Sequence, residues 1–347
     1  MSSKEKTLHG TFVAECKKGE NEYQDASQYK VHEGNPLAIH VFTELHNKPL
    51  GYNTLCDLDR LLHTLRKIAT GLTKNFHSSE VPLIAVGAKH GNPCGASFGD
   101  TKKEVLEKMI AGDRRAIFGG FIITSFEIGL EEAECILEYR MDEGKKRMIN
   151  AIAAPSFTAP AIEYLTKYSK CLLLINEGLG TTAICAVSTE ERFRQVEGGV
   201  LYQSPYTFIL DCDRLSTTNV LTDSQKSNLI LAWGVGSTSN SNTVTIVADN
   251  ILIGNGIGQQ DRVGSCELAV KKARDAGHGA LLKGATAYSD SFFPFTDGPE
   301  VLLQAGIQVI LASSGSVKDD SVIEHCTNAG ITLCLIPDRE GRGFFGH

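Results

Sequence analysis

The stretch from Val86 to Asp100, VGAKHGNPCGASFGD, sets an ammonium and an imidazole side by side at the end of an apolar run. Imidazole is the side chain best suited to moving a proton near neutral pH. A partly desolvated ammonium can hold a developing oxyanion or assist its neighbour. Lys89 and His90 are therefore a candidate pair for general-base and oxyanion work. Adjacent polar residues at a strand end are often simply solvated, but here the following residues are too small to make a packing surface. Asn92-Pro93-Cys94-Gly95 predicts a tight loop with room for a ligand to approach the backbone. Cys94 beside His90 is a weaker, nucleophilic alternative, because nearness in sequence does not establish hydrogen-bond geometry.

Two further stretches carry chemistry. In IGNGIGQQDRV, Gly254, Gly256 and Gly258 alternate ahead of Arg262. A dinucleotide fingerprint would need a strand opening a βαβ unit, whereas the strand here reads as half of a hairpin. A loop for close approach or anion binding before a helix, with Arg262 as a planar donor, fits better. In SDSFFPFTDG, three phenylalanines surround Pro294 between Asp290 and Asp297. Such clusters usually plug a core. On a loop rich in turn formers, an apolar slot bordered by carboxylates also suits a flat heteroaromatic ring with exocyclic amines. There is no HExxH, no Cys pair at zinc spacing and no acidic calcium loop, so no metal site is expected.

These loops need a scaffold, and the apolar periodicity supplies one. After a polar, irregular start, LAIHVFTEL predicts a strand and LCDLDRLLHTLRKIATGL a helix. VPLIAVGA predicts the strand that delivers Lys89, and TKKEVLEKMIAG a helix capped by Asp100 or Thr101. Strands in FGGFIITS, INAIAAPSF and KCLLLI then alternate with helices in EEAECILEYRM and APAIEYLTKYS. A second half starts near VEGGVLYQS. It carries a helix in SQKSNLILAWGVG, a hairpin turning at Asp249-Asn250, and a further alternation of helices and strands through ITLCLIP. The pattern predicts an α/β fold with a mainly parallel sheet and ligand loops at the strand ends. No exact internal repeat is visible. Two domains are expected, residues 1–197 with the Lys-His loop and 198–347 with the Gly-rich and Phe-Pro-Phe loops.

Composition narrows the partners. The 347 residues carry a formal net charge of -7 with Lys and Arg scattered, which leaves no electrostatic footprint for nucleic acid. The ten cysteines form no CxxC pair, and several lie in apolar runs such as KCLLLI, as reduced core thiols do. No apolar run approaches membrane length. A soluble, cytoplasmic protein is expected.

Taken together, the segments AKHGNPCGASFG, AIFGGF, AAPSF, VEGGVLYQ, SNSNTV, IGNGIGQQDR, YSDSFFPFTDG and SSGSVKDDSVI, with a terminal His347, resemble in content and order the formyltransferase domain of the bifunctional purine-biosynthesis enzyme, the AICAR transformylase. The resemblance runs over nearly the whole chain. The cyclohydrolase domain that normally precedes this region is expected to be absent, since the matching segments start near the chain's beginning. The resemblance implies formyl transfer from 10-formyltetrahydrofolate, as co-substrate, to the exocyclic amine of an aminoimidazole carboxamide ribotide. It implies His90 as base, Lys89 as oxyanion stabiliser and Asn242 as the residue positioning the reacting amide. Lys17, Gly258, Gln259, Asp261, Arg262, Arg339, Arg342 and His347 would bind the ribotide. Phe118, Gly119, Asn150, Phe292, Pro294, Phe295, Asp297, Gly315 and Ser316 would line the folate and ring pocket. It further implies two cytidine-deaminase-like α/β/α halves, free of zinc, and a homodimer with sites at the interface.

The chain also departs from the family. KKGENEYQ replaces the usual Arg-Tyr-Gly-x-Asn-Pro-His-Gln and puts Lys17 and Lys18 where an Arg grips phosphate. Asn240-Ser241-Asn242 stands for Lys-Ser-Asn, Asp261 for Ser and Thr296 for Arg, while the C-terminus leaves Arg339 and Arg342 competing for the phosphate. A formyltransferase or cyclising enzyme acting on another amino-heterocycle carboxamide is the alternative, and a non-catalytic nucleotide or folate sensor is a third reading. Retention of both Lys89 and His90 counts against the sensor.

Overall fold

Two turns decide how the central sheet is built. Lys89 pairs with Asn92 around His90 (φ 53°) and Gly91 (φ 69°). Ala248 pairs with Ile251 around Asp249 (φ 49°) and Asn250 (φ 60°). Positive φ at both central positions marks the two-residue turn whose twist matches a hairpin, and Gly, Asn and Asp enter it most easily. The structure, a computed structural model, describes residues 7–31 and 33–343.

The chain opens with β1 (Thr11–Glu15), β2 (Ser27–Lys30) and β3 (Thr43–Glu44). The first half follows as α1 (Tyr52–Phe76), β4 (Leu83–Lys89), β5 (Asn92–Gly99), α2 (Lys102–Gly112), β6 (Phe121–Thr124), α3 (Leu130–Glu138), β7 (Ala151–Ala154), α4 (Ala159–Tyr168) and β8 (Leu172–Ile175). A connecting region carries β9 (Arg192–Val196), β10 (Gly199–Gln203) and β11 (Ser216–Thr217). The second half is α5 (Asp223–Gly236), β12 (Val244–Ala248), β13 (Ile251–Gly256), α6 (Arg262–Asp275), β14 (Thr286–Ser289), α7 (Asp297–Ala305), β15 (Val309–Ser313), α8 (Asp319–Asn328) and β16 (Thr332–Ile336).

One twelve-stranded sheet runs in the order β11-β16-β15-β14-β12-β13-β5-β4-β6-β7-β8-β3. Each half reads helix, hairpin, then three helix–strand steps, and the strand orders β5-β4-β6-β7-β8 and β13-β12-β14-β15-β16 are the same pattern. The halves join where β5 meets β13, at Ser97 and Ile251. This recurrence is invisible in the residue string because the core requires only apolar volume at matching places, not matching residues.

Side-chain alternation divides the core by sheet face. Val86, Ile123, Ala153, Val247 and Leu311 pack with α1 and α5. Their sequence neighbours Ala85, Ile122 and Ile152 face α2, α3 and α4, and Ile246 and Ile310 face α6, α7 and α8. Thr101 caps α2 by accepting the Glu104 N–H, the second of the two caps expected there.

Three expectations change. The sheet is mixed rather than mainly parallel: β6-β7-β8 and β14-β15-β16 are parallel, but both hairpins and their junction are antiparallel. Residues 92–99 are not a loop but the buried strand β5, and LAIHVFTEL forms a 3-10 turn at Ile39–Val41 before the two-residue β3. The small residues of β5 and β13 are there because helices lie on them. A Cβ at Gly95 would collide with the Met109 carbonyl of α2, and one at Gly256 with the Ser265 carbonyl of α6. Among the described residues no helix is long and apolar enough to cross a membrane.

Gly256→Ala is therefore expected to destabilise the protein by about 1–3 kcal/mol in chemical denaturation, the usual result of overpacking. Gly199→Ala, where no atom lies within 4 Å of the added methyl, should stay within about 0.5 kcal/mol. Equal midpoints for the two variants would contradict this packing.

Candidate active site

The Lys89–Asn92 turn marks one edge of the sheet, and strand pairing carries that edge outward. Antiparallel steps bring to it the end of β13, the start of β12 and the end of β14. Parallel steps add the ends of β15 and β16. On the other side β6 and β7 begin there. The candidate residues on loops 89–90, 118–119, 150, 242, 258–262, 292–297, 315–316 and 339–342 thus share one edge.

The centre of the edge is tightly specified. His90 is exposed at the tip of its turn, and Lys89 Nζ donates to the Phe118 carbonyl at 2.7 Å. Asp57, on the second turn of α1, accepts the Gly91 N–H at 2.6 Å. Burial raises the Asp57 pKa, against the Gly91 hydrogen bond and the neighbouring His90 and Arg60 charges, which favour the carboxylate. Asn92 ties the two halves together: its Oδ1 accepts the Asn240 N–H at 3.3 Å while its Nδ2 donates to the His90 carbonyl at 3.2 Å. Arg60, pushed down to about 10 by burial, donates to Asn240 Oδ1 at 3.1 Å and to the Thr238 carbonyl.

Asn242 follows a cis peptide after Ser241. Its Nδ2 donates to the Gln259 carbonyl at 2.9 Å, and its Oδ1 accepts from Arg262 at 2.8 Å. Arg262 also donates to the Thr243 carbonyl at 3.2 Å and forms an ion pair with Asp290. Both are buried, with side-chain exposures of 8% and 0%. Arg262 therefore holds Asn242 in place instead of lying open as a donor loop, and Asp290 is inside the protein rather than bordering a slot. An amide fixed at both ends keeps one acceptor lone pair and one N–H for a ligand.

Other expected residues find local work. Asp261 caps α6 through the Gly264 N–H at 2.7 Å, a task Ser performs equally well. Gly258 (φ 67°) donates its N–H to the Asn240 carbonyl at 2.9 Å. Cys94 lies within β5, its Sγ donating to the Gly87 carbonyl at 3.5 Å, and burial pushes the thiol up to about 12, which removes it as a nucleophile. Phe293 is the core plug, whereas Phe295 is 60% exposed and Phe292 lies under Arg342, 5.0 Å from its ring centre. Asp297 starts α7 and accepts the N–H of Gly298 at 2.8 Å. Asp319 takes the backbone donors of Gly315 and Ser316 at 2.6 and 3.1 Å. Arg339 and Asn150 are exposed, as is Pro294 in part. Lys17 is exposed beside the start of α1, its N–H on the Leu50 carbonyl at 2.8 Å. His347 lies outside the described residues.

The edge does not bring everything to one point. Phe118, Gly119 and Asn150 precede β6 and β7, whereas Phe292–Asp297 follows β14, five strand steps from β6. At ~4.8 Å per step this is about 24 Å along the sheet. Sequence reasoning missed Asp57, Arg60 and Asn92. The first two share a helix face three residues apart, which is the signal that marks them. Among the described residues no group of three or more His, Cys, Asp or Glu side chains is placed to hold a metal ion.

Comparison with known proteins places the sequence in a family. The sequence model of the AICARFT/IMPCHase bienzyme matches residues 2–272. The chain is 31% identical over 332 residues to the bifunctional purine biosynthesis protein PurH of Anoxybacillus flavithermus, covering 94% of this chain and 59% of that protein. It is 31% identical over 339 residues to PurH of Xylella fastidiosa, with 96% and 59% covered. For PurH of Lysinibacillus sphaericus the identity is 32% over 319 residues, with 91% and 56% covered. The chain thus spans rather less than two thirds of the length of these relatives. It belongs to the AICARFT/IMPCHase bienzyme family.

Proposed function

We propose that this chain transfers a formyl group from 10-formyltetrahydrofolate to the 5-amino group of aminoimidazole carboxamide ribotide, a step of purine biosynthesis, and that it does so in the cytoplasm. One observation carries the proposal: Asn92 docks the Lys89–His90 turn of one half onto the Asn240–Asn242 loop of the other. An amine conjugated to an imidazole carboxamide is a weak nucleophile, so the site must remove a proton as the N–C bond forms. His90, exposed at the turn, takes that proton. Lys89 stabilises the oxyanion left on the formyl oxygen as the carbonyl bond opens. Asn242, fixed by Arg262 and Gln259, holds the carboxamide with its remaining donor and acceptor. The co-substrate supplies the formyl carbon and, at N10, an amine leaving group that accepts a proton as the tetrahedral centre collapses. The exposed ring faces of Phe118 (44%) and Phe295 (60%) and the exposed Asn150 suit a flat folate ring and its polar edge.

We further propose a homodimer in which the first-half residues Phe118, Gly119 and Asn150 of one chain face the second-half residues Phe292–Asp297, Gly315 and Ser316 of another. The separation of about 24 Å along one sheet supports this, because two clusters that far apart in one chain cannot both line the pocket of a single ring. So do the β1–β2 and β9–β10 ribbons, each a sheet of only two strands. They present Phe12, Tyr29, Phe193, Val200 and Leu201 exposed, and an isolated two-stranded ribbon is marginal in water. The recurring topology supports two cytidine-deaminase-like halves; the proposed division at 197/198 falls in the turn of the β9–β10 ribbon, between the two recurring units. Lys17 and the exposed Arg339 and Arg342 are the cations proposed for the ribotide phosphate.

Incubation with 10-formyltetrahydrofolate and the aminoimidazole ribotide should release tetrahydrofolate. His90→Ala should slow turnover by about 10²–10⁴-fold with ribotide affinity little changed, as loss of a general base does, and Lys89→Ala should also lower kcat. No release from the native protein, or near-native release from His90→Ala, would overturn the assignment. In a dilution series followed by sedimentation, activity should fall in parallel with dissociation of the dimer. A fully active monomer would contradict the shared site.

A further inference from the structure

The turn that carries the proposed base is weakly held by its own strands. His90 lies in the left-handed region at φ 53°, which a residue with a Cβ enters at a cost, and Gly91 follows at φ 69°. The ladder behind them is irregular: the register skips Cys94 between the Gly87–Gly95 and Ala88–Pro93 pairs, and Pro93 has no N–H to give. A hairpin end with a bulge and a proline beside it does not by itself fix the direction of the side chains at its tip.

Support for the tip comes from α1. Asp57 Oδ1 accepts the Gly91 N–H at 2.6 Å. Arg60, three residues on and on the same helix face, donates to Asn240 Oδ1 at 3.1 Å and to the Thr238 carbonyl. The second turn of α1 thus reaches the His90 turn through a carboxylate and the approach to Asn242 through a guanidinium. The helix is a firm mount, because it lies tightly against α5. A Cβ at Gly71 of α1 would come 2.7 Å from the Ile230 side chain, and one at Gly234 of α5 would come 2.6 Å from that of Ile68.

A carboxylate is a costly acceptor to place there. Burial works against the Asp57 charge, and the Gly91 N–H, His90 and Arg60 work for it. In return an ionised acceptor holds an N–H more strongly than a neutral one does, which suits a turn whose own ladder is interrupted. We propose that Asp57 is a positioning residue for formyl transfer: by holding the Gly91 N–H it keeps the turn in the conformation that presents the His90 imidazole to the amine held beside Asn242. This role presupposes formyl transfer as proposed above, with His90 as the base. Because Asp57 acts through His90 and not on the substrate, its loss should fall on kcat rather than on ribotide binding.

The test compares formyl transfer by the full chain in its native form and as Asp57→Ala, Asp57→Asn, His90→Ala and the Asp57→Ala/His90→Ala double variant. Amide hydrogen exchange of the β4–β5 hairpin is followed in the native protein and in Asp57→Ala. Asp57→Ala should lower kcat by about 10–100-fold, with KM for the ribotide within about threefold of native. Asp57→Asn keeps an acceptor oxygen and should recover kcat to within about fivefold of native. In the His90→Ala background Asp57→Ala should cost less than about twofold more, whereas a general fault in the fold would lower that background too. Exchange at the turn should be faster in Asp57→Ala. Should that variant not fold, Asp57→Leu, which keeps the volume without the acceptor, decides by the same criteria. Near-native kcat without the acceptor, no recovery in Asp57→Asn, an equal further loss in the His90→Ala background, or unchanged exchange at the turn would each overturn the proposal. A native protein that transfers no formyl group, while Asp57→Ala still exchanges faster at the turn, would instead overturn the formyl-transfer proposal and leave the hold of Asp57 on the turn standing.

Discussion

A buried guanidinium next to a buried carboxylate is the constraint on which the central edge depends. Arg262 and Asp290 join the start of α6 to the end of β14, and between them they fix Thr243: its carbonyl accepts from Arg262, and its N–H donates to Asp290 Oδ2 at 3.1 Å. Such a pair is weak evidence of net stability, since desolvating two charges consumes most of their attraction. Removing one partner, however, strands the other at a cost of about 3–5 kcal/mol. What the pair provides is geometry. It fixes Thr243, the residue before β12, and through Arg262 it sets which way the Asn242 amide points.

That geometry matters because the proposed centre is assembled from both halves. The Lys89–His90 turn belongs to the first hairpin and Asn242 to the approach to the second. They meet because β5 and β13 pair antiparallel at the middle of the sheet, which puts the turn of one hairpin beside the open end of the other. Asn92 and Arg60 then hold the Asn240 loop against the turn. The proposed proton acceptor, His90, comes from the first half, and the amide proposed to orient the ribotide carboxamide, Asn242, from the second.

Much of this was legible in the residues. The amphipathic run of α1, the Thr101 cap, the Asp249-Asn250 turn and the position of Lys89 at a strand end all follow from local periodicity and turn chemistry. What local patterns do not encode is what presses on a strand from outside. The glycines of β5 and β13 read as loop or ligand-binding positions because a missing side chain looks, in sequence, like space left open. In the fold that space is filled by the backbones of α2 and α6. The role of Arg262 was hidden for the same reason: its partner Asp290 lies 28 residues away and looks in sequence like one wall of an apolar slot. The antiparallel middle of the sheet depends on which hairpin edge meets which, and strand–helix alternation carries no signal for that.

The proposed chemistry requires the turn and the loop to act as one chemical unit. A double-mutant cycle on kcat/KM for formyl transfer, using His90→Ala, Asn242→Ala and the combined variant, measures this directly. If His90 takes the proton from an amine whose position Asn242 determines, the losses should be strongly non-additive, with the double variant within about threefold of the slower single one. Losses that simply multiply would mean that the two residues serve independent steps, and would contradict a single centre built across the two halves.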